Sequence, residues 1–218
     1  MPKEILLNKN DISKYVIDTL ESLKCGHFYV SEECFHHNTP YKLVPSILIN
    51  GLHSIQKQNE LGISNYSTKD LELLADVDSH INGINGISLS KINLTDLRRQ
   101  DFTYDPKEDK SVDIIIDDSI NVRRSTRHYG NEFISESSIM PNKFNALDIR
   151  LMALVTNTQS IDHLKELERI IIAINSLKGI AKTLEEQKLT IPIREMSLED
   201  NSLLDTTKIM DLPIIRVK

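Results

Sequence analysis

Two adjacent histidines, His36 and His37, follow directly on Phe35, and their side-chain type suits chemistry near neutral pH. An imidazole can hydrogen-bond a substrate hydroxyl, move a proton or ligate a metal there. A histidine next to a core strand is more often a hydrogen-bonded structural residue, so the pair alone does not decide. The remaining histidines, at positions 27, 53, 80, 128 and 163, have no spacing that would complete a three- or four-ligand zinc site, and no metal is expected. Glu132 and Glu136 stand four apart in NEFISESSI and share a face if that stretch is a strand. Pattern alone favours a solvated edge. A carboxylate at a strand start can also stabilise a cationic centre, as on the sugar carbon in glycoside chemistry. Ser88 and Ser90 are ordinary strand residues unless something polar faces them, and Arg123, Arg124 and Arg127 fit a phosphate or a solvated loop equally well.

The elements that must position these groups follow from periodicity and turn chemistry. Ile12, Tyr15, Val16, Leu20 and Leu23 recur on one face and predict a helix over 11–23, with Asn10 or Asp11 as its N-cap. Cys25-Gly26 breaks it, and a short strand or turn is expected at 27–30. From Phe35 a strand leads to a turn and then to a helix carrying Leu43, Val44, Ile47 and Leu48, stopped by Asn50-Gly51. A short helix is expected at 68–77. Repeated Asn-Gly pairs feed a strand at 86–90, on which Ser88 and Ser90 share a face. Val112 to Ile116 is the strongest strand signal, and its unbroken Ile114–Ile116 run predicts burial on both faces. NEFISESSI predicts another strand, ended by Pro141, and NALDIRLMALV predicts a further strand or a short helix. Leu164, Leu167, Ile170, Ile171, Ile174, Leu177, Ile180 and Leu184 predict a long docking helix, or a helix pair, over 160–188. Short extended or turn elements around Pro192 and Pro213 complete the chain.

Length and composition set the frame. The 218 residues suit one domain or a domain with a helical appendage, long enough to bury its own core. With no Trp and few aromatics, Ile and Leu must fill that core. A net charge of -6 argues against broad nucleic-acid binding, which rewards clustered Lys and Arg. The two cysteines, Cys25 and Cys34, cannot build a disulfide framework and fit a reduced compartment. No signal-peptide core and no run of about 18 apolar residues is present, so a cytoplasmic protein without a membrane partner is expected. A signal-independent export route would leave no trace in the chain.

Order and spacing add a resemblance. His37-Asn38-Thr39, with fourteen residues from His37 to Gly51 and the run Ser46-Ile47-Leu48 before it, resembles the first motif of ADP-ribosyltransferase-like proteins, commonly written Tyr-His-x-Thr followed by a helix ending in Asn-Gly-Leu. GISLSK at 86–91 resembles the strand carrying Ser or Tyr that follows in that superfamily. NEFISESSI resembles its strand opened by a glutamate, here Glu132, and VDIIIDDSI resembles the strand before it in bacterial and phage-type members. The resemblance covers about Phe35 to Ile149, roughly half the chain. His36 fills the Tyr slot, no arginine precedes Arg98, and Gly130 stands where enzymes modifying arginine carry a second acidic residue.

What the resemblance implies is specific. The fold is an α+β arrangement in which a small, split, mostly antiparallel sheet carries an NAD cleft, with an ADP-ribosyltransferase-like domain over residues 1–157 and a C-terminal helical region over 158–218. His37 contacts a ribose hydroxyl of NAD, Thr39 and Gly51 support the loop, and Ser88, with Ser90 beside it, lines the nicotinamide pocket. Glu132 holds the nicotinamide ribose and stabilises the oxocarbenium-like centre; taking Glu136 instead shifts that motif by four positions. Arg123, Arg124, Arg127 and Tyr129 lie in the loop that meets an acceptor in this superfamily. The implied activity is mono-ADP-ribosylation of a macromolecule, a protein ranked ahead of a nucleic acid because the chain is acidic, as in a toxin or effector. NAD glycohydrolysis and a catalytically dead binding module are the alternatives.

Overall fold

The computed structural model describes residues 3–27, 33–64, 86–93, 112–120, 122–124, 131–134, 137–149, 163–195 and 202–218. The chain is α+β and its sheet mostly antiparallel, as the resemblance implies. The expected helix at 68–77 and the Asn-Gly turn before Gly86 lie outside the described residues.

The main sheet is built around β6 (Val112–Ile116), every residue of which is buried. A buried strand must also have its backbone N–H and C=O groups paired along both edges. Here the partners are β3 (Glu33–Thr39) and β10 (Phe144–Ile149), each antiparallel to it. Outward from β3 come β5 (Ile87–Asn93), β8 (Asn131–Ile134) and β7 (Val122–Arg124). On the other side of β10 come β11 (Ile193–Glu195), β12 (Ser202–Leu204) and β2 (Lys24–His27). Only the β10–β11 pairing in this sheet is parallel. NALDIRLMALV therefore resolves as a strand over its described part.

Alternation along β6 sorts the two faces. Val112, Ile114 and Ile116 line one face with Leu147 and Ile149 of β10 and Ile193 of β11, and helices cover it. Helix α1 (Lys9–Leu23) brings Ile12, Val16, Leu20 and Leu23, all fully buried, at the spacing the sequence predicts. Helix α2 (Val44–Asn50) brings Val44 and Leu48. After the short α3 (Ile55–Glu60), the long α4 (His163–Glu186) contributes Ile170, Ile174, Leu177, Ile180 and Leu184. Each such side chain contributes about 1.5–3 kcal/mol relative to exposure, so this helix-covered face holds the fold together.

Three details depart from the sequence expectation. Helix α1 starts earlier, after Asn8, whose carbonyl accepts the Asp11 N–H at 3.0 Å, so neither Asn10 nor Asp11 is the cap. The described parts of NEFISESSI fall in two strands. β8 ends at Ile134, and Ser138–Ile139 forms β9, paired with β4 (Leu52–His53) in a separate ribbon. The C-terminal region is not helical throughout: the extended elements expected around Pro192 and Pro213 are strands, β11 joining the main sheet with β12, and β13 (Ile214–Val217) pairing in parallel with β1 (Glu4–Leu7). Between β12 and β13, α5 (Thr206–Asp211) is capped by Asp205. Such strands are too short to carry a readable period.

Candidate functional site

Strand β3 carries the sequence motif, and its alternation divides the motif between two faces. His36 pairs with Ser90 of β5, and Ser90 pairs with Asn131 of β8. Those three positions share one face, so His37, Leu89 and Glu132 take the other. Leu89 is the register partner of Glu132, and Glu132 is that of Arg124 on β7. The positions of His37 and Glu132 are thus on one face of two strands separated only by β5. They are 95 residues apart in the chain.

The imidazole of His37 is held by a backbone group. Its Nδ1 lies 3.0 Å from the carbonyl oxygen of Ser88. A carbonyl only accepts, so Nδ1 carries the proton toward Ser88, and in the neutral ring Nε2 is then the accepting nitrogen.

Behind His37, on the opposite face, is a row of polar residues, half-buried at Asn38 and buried beyond it. Asn38, Asp113, Asp148 and Arg194 are successive register partners on β3, β6, β10 and β11. Asn38 Nδ2 donates to Asp113 Oδ1 at 2.6 Å. His36 Nδ1 is 3.2 Å from the same oxygen, close enough to feel its charge but not aligned for a hydrogen bond. Arg194 Nη2 donates to Asp148 Oδ2 at 2.7 Å. Two carboxylates opposite one another in a sheet repel; here each has its own partner group on the outer side. Cys34 lies on this face too, and burial pushes its thiol up to about 11, with Arg194 pulling the other way and Asp148 and Asp113 adding to the rise.

The end of α2 is fastened to the segment after β8. Gly51 closes α2 with φ 92°, and its N–H donates to the Ile47 carbonyl at 2.8 Å. Any Cβ on Gly51 would sit 2.9 Å from the Ile139 carbonyl oxygen, so only glycine allows this approach. One step on, His53 Nδ1 is 2.8 Å from Ser138 Oγ, and Ser54 N–H donates to Ser137 O at 2.9 Å. Thr39 is buried on the His37 side of β3, opposite Val112.

The sequence-derived residues are therefore distributed as follows. His37, Thr39 and the Glu132 position share a face, and Gly51 brings the end of α2 against Ile139. Ser88 is exposed and Ser90 half-buried, both on the His36 face; it is the Ser88 carbonyl, not its hydroxyl, that reaches His37. Arg123 and Arg124 lie on β7. Arg127, Tyr129 and Glu136 lie outside the described residues. Asn38, Asp113, Asp148 and Arg194 escaped the sequence reading. An acidic residue inside the apolar run Val112–Ile116 was the available signal, since a carboxylate enters a buried strand only with a partner.

No protein-family model matches the chain, and neither a curated protein nor a solved structure matches it. Among the described residues, no three His, Cys, Asp or Glu side chains group as metal ligands, and no helix is long and apolar enough to cross a membrane.

Proposed function

We propose that this chain is a mono-ADP-ribosyltransferase that takes ADP-ribose from NAD and passes it to a macromolecular acceptor. The observation that carries the reading is the adjacency of β3, β5 and β8, with the positions of His37 and Glu132 on one sheet face. It supports the motif resemblance because the pairing brings two stretches far apart in the chain to within one strand of each other; a shared face adds less, since it would arise by chance in about half of such pairs.

In this reading His37 Nε2 accepts a hydrogen bond from a ribose hydroxyl, its tautomer set by the Ser88 carbonyl. The bond between the ribose anomeric carbon and the nicotinamide nitrogen breaks, and nicotinamide leaves with the electron pair. The Glu132 carboxylate holds the ribose and stabilises the cationic carbon. A nucleophile of the acceptor then bonds to that carbon and loses its proton to solvent or base. Holding both reactants in line supplies much of the rate. Arg123, Arg124, Arg127 and Tyr129 meet the acceptor, a protein ahead of a nucleic acid, in the cytoplasm of the cell that makes or receives the protein.

Labelled NAD incubated with the protein and a cell lysate should transfer label to a macromolecule and release nicotinamide. His37→Ala and Glu132→Ala should abolish both while far-UV circular dichroism is unchanged. Protease or nuclease digestion then names the acceptor class. Nicotinamide release without transfer would replace the reading by NAD glycohydrolysis. No thermal stabilisation by millimolar NAD would leave a binding module.

A further inference from the structure

His36 and Asn38, the residues on either side of His37, both converge on one oxygen of Asp113. Asn38 Nδ2 donates to Asp113 Oδ1 at 2.6 Å, and His36 Nδ1 stands 3.2 Å from it. Asp113 is only 2% exposed and His36 8%. Strand alternation explains the geometry: a carboxylate on the back face can reach the flanking residues of His37 but not His37 itself. In a site so withdrawn from water, a charge-assisted hydrogen bond is stronger and more directional than at the surface.

We propose that Asp113 is a positioning residue for the His37 imidazole, hydrogen-bonded to one of its chain neighbours, Asn38, and set against the other, His36, from the opposite face of the sheet. The backbone around His37 is held in the ladder with β6, and the tie from Asp113 to the Asn38 side chain steadies it from behind, which sets where the Cα–Cβ bond of His37 starts. The Ser88 carbonyl then fixes the ring from the front. Two independent anchors, one behind the strand and one on the ring, leave Nε2 a single direction. Asp113 is itself kept in place by β6, whose every residue is buried between β3 and β10. The consequence for NAD rests on reading His37 as the ribose contact; the consequence for the ring does not.

The test uses the full chain labelled with 15N-histidine, the His37 signals being assigned by their loss in His37→Gln. In Asp113→Ala the Nδ1 and Nε2 shifts of His37 should move from those of a single tautomer toward averaged values. KM for NAD should rise about tenfold, the size of effect expected when one hydrogen bond is weakened, with kcat changed far less, because a ribose contact serves ground and transition states alike. Asp113→Asn keeps an acceptor for Asn38 and should recover most of both readouts. Should Asp113→Ala not fold, Asn38→Ala removes the aligned half of the grip and should shift the same signals in the same sense. Unchanged His37 signals in a folded Asp113→Ala or Asn38→Ala protein overturn the proposal, as does an Asp113→Asn protein no better than Asp113→Ala. If the wild-type protein does not bind NAD, the ribose role of His37 falls, while the nitrogen signals still decide whether Asp113 holds the ring.

Discussion

Arg194 and Asp148 form an ion pair at 2.7 Å in which both side chains are only 1% exposed. Burial of this kind costs each ion its hydration, so the pair makes sense only if both members are present. It also neutralises one of the two carboxylates, Asp148 and Asp113, that face each other across β10 and β6. Removing Arg194 strands a buried charge next to another, whereas removing both partners removes the problem.

Arg194→Ala should therefore lower stability by about 3–5 kcal/mol, read as a fall in the urea midpoint. The double replacement Arg194→Met with Asp148→Leu should cost much less than Arg194→Ala. Equal losses for the two would show that packing and not charge accounts for the effect.

Gly51→Ala forces a side chain into positive φ and against the Ile139 carbonyl oxygen, 2.9 Å from the Cβ position. A loss of about 1–3 kcal/mol is expected for such a strained residue. Because the clash falls on the β4–β9 ribbon, faster amide exchange should appear at Leu52 and Ile139 before it appears in β6.

Alkaline pH should weaken the fold through Cys34. Burial raises its thiol from the ordinary 9.0 to about 11, so the neutral form is favoured in the folded state. The stability it contributes is intact below pH 9 and is lost as pH climbs to about 11. Tyr41, pushed upward by burial first and then by Glu195 and Asp148, extends the loss at higher pH. Cys34→Ala should flatten the decline of the unfolding midpoint over that window. At neutral pH the exposed Cys25 should react with a thiol reagent at once and the buried Cys34 only on unfolding.

Asp205 caps α5 by accepting from the N–H groups of Thr207 at 3.0 Å and Lys208 at 3.3 Å. Asp205→Ala should cost about 1 kcal/mol, the usual value of an N-cap, while Asp205→Asn should retain most of it. Its backbone N–H, which donates to Leu23 O at 2.7 Å, is kept in Asp205→Ala, so the tie to the end of α1 should persist.

Much of the architecture was legible because it rests on local repeats. The faces of α1 and α4, the buried strand at Val112–Ile116, and the stop at Gly51 follow from side-chain spacing and from what glycine permits. The three motifs around His37, Ser88 and Glu132 were also visible, since their order and spacing are properties of the chain.

What the chain alone left open was anything that depends on which strand lies beside which. Periodicity gives each strand its two faces but not the register between strands, and a one-residue slip exchanges every face. Only the tertiary pairing put Ser88 and Ser90 with His36 and left His37 with the Glu132 position. The same pairing lined up Asn38, Asp113, Asp148 and Arg194, drawn from four separate stretches, into one row. The residues of β11 and β12 were too few to announce themselves, and long-range hydrogen bonding decided their place in the sheet. Chemistry types were thus written in the sequence, whereas their neighbours were chosen by the sheet.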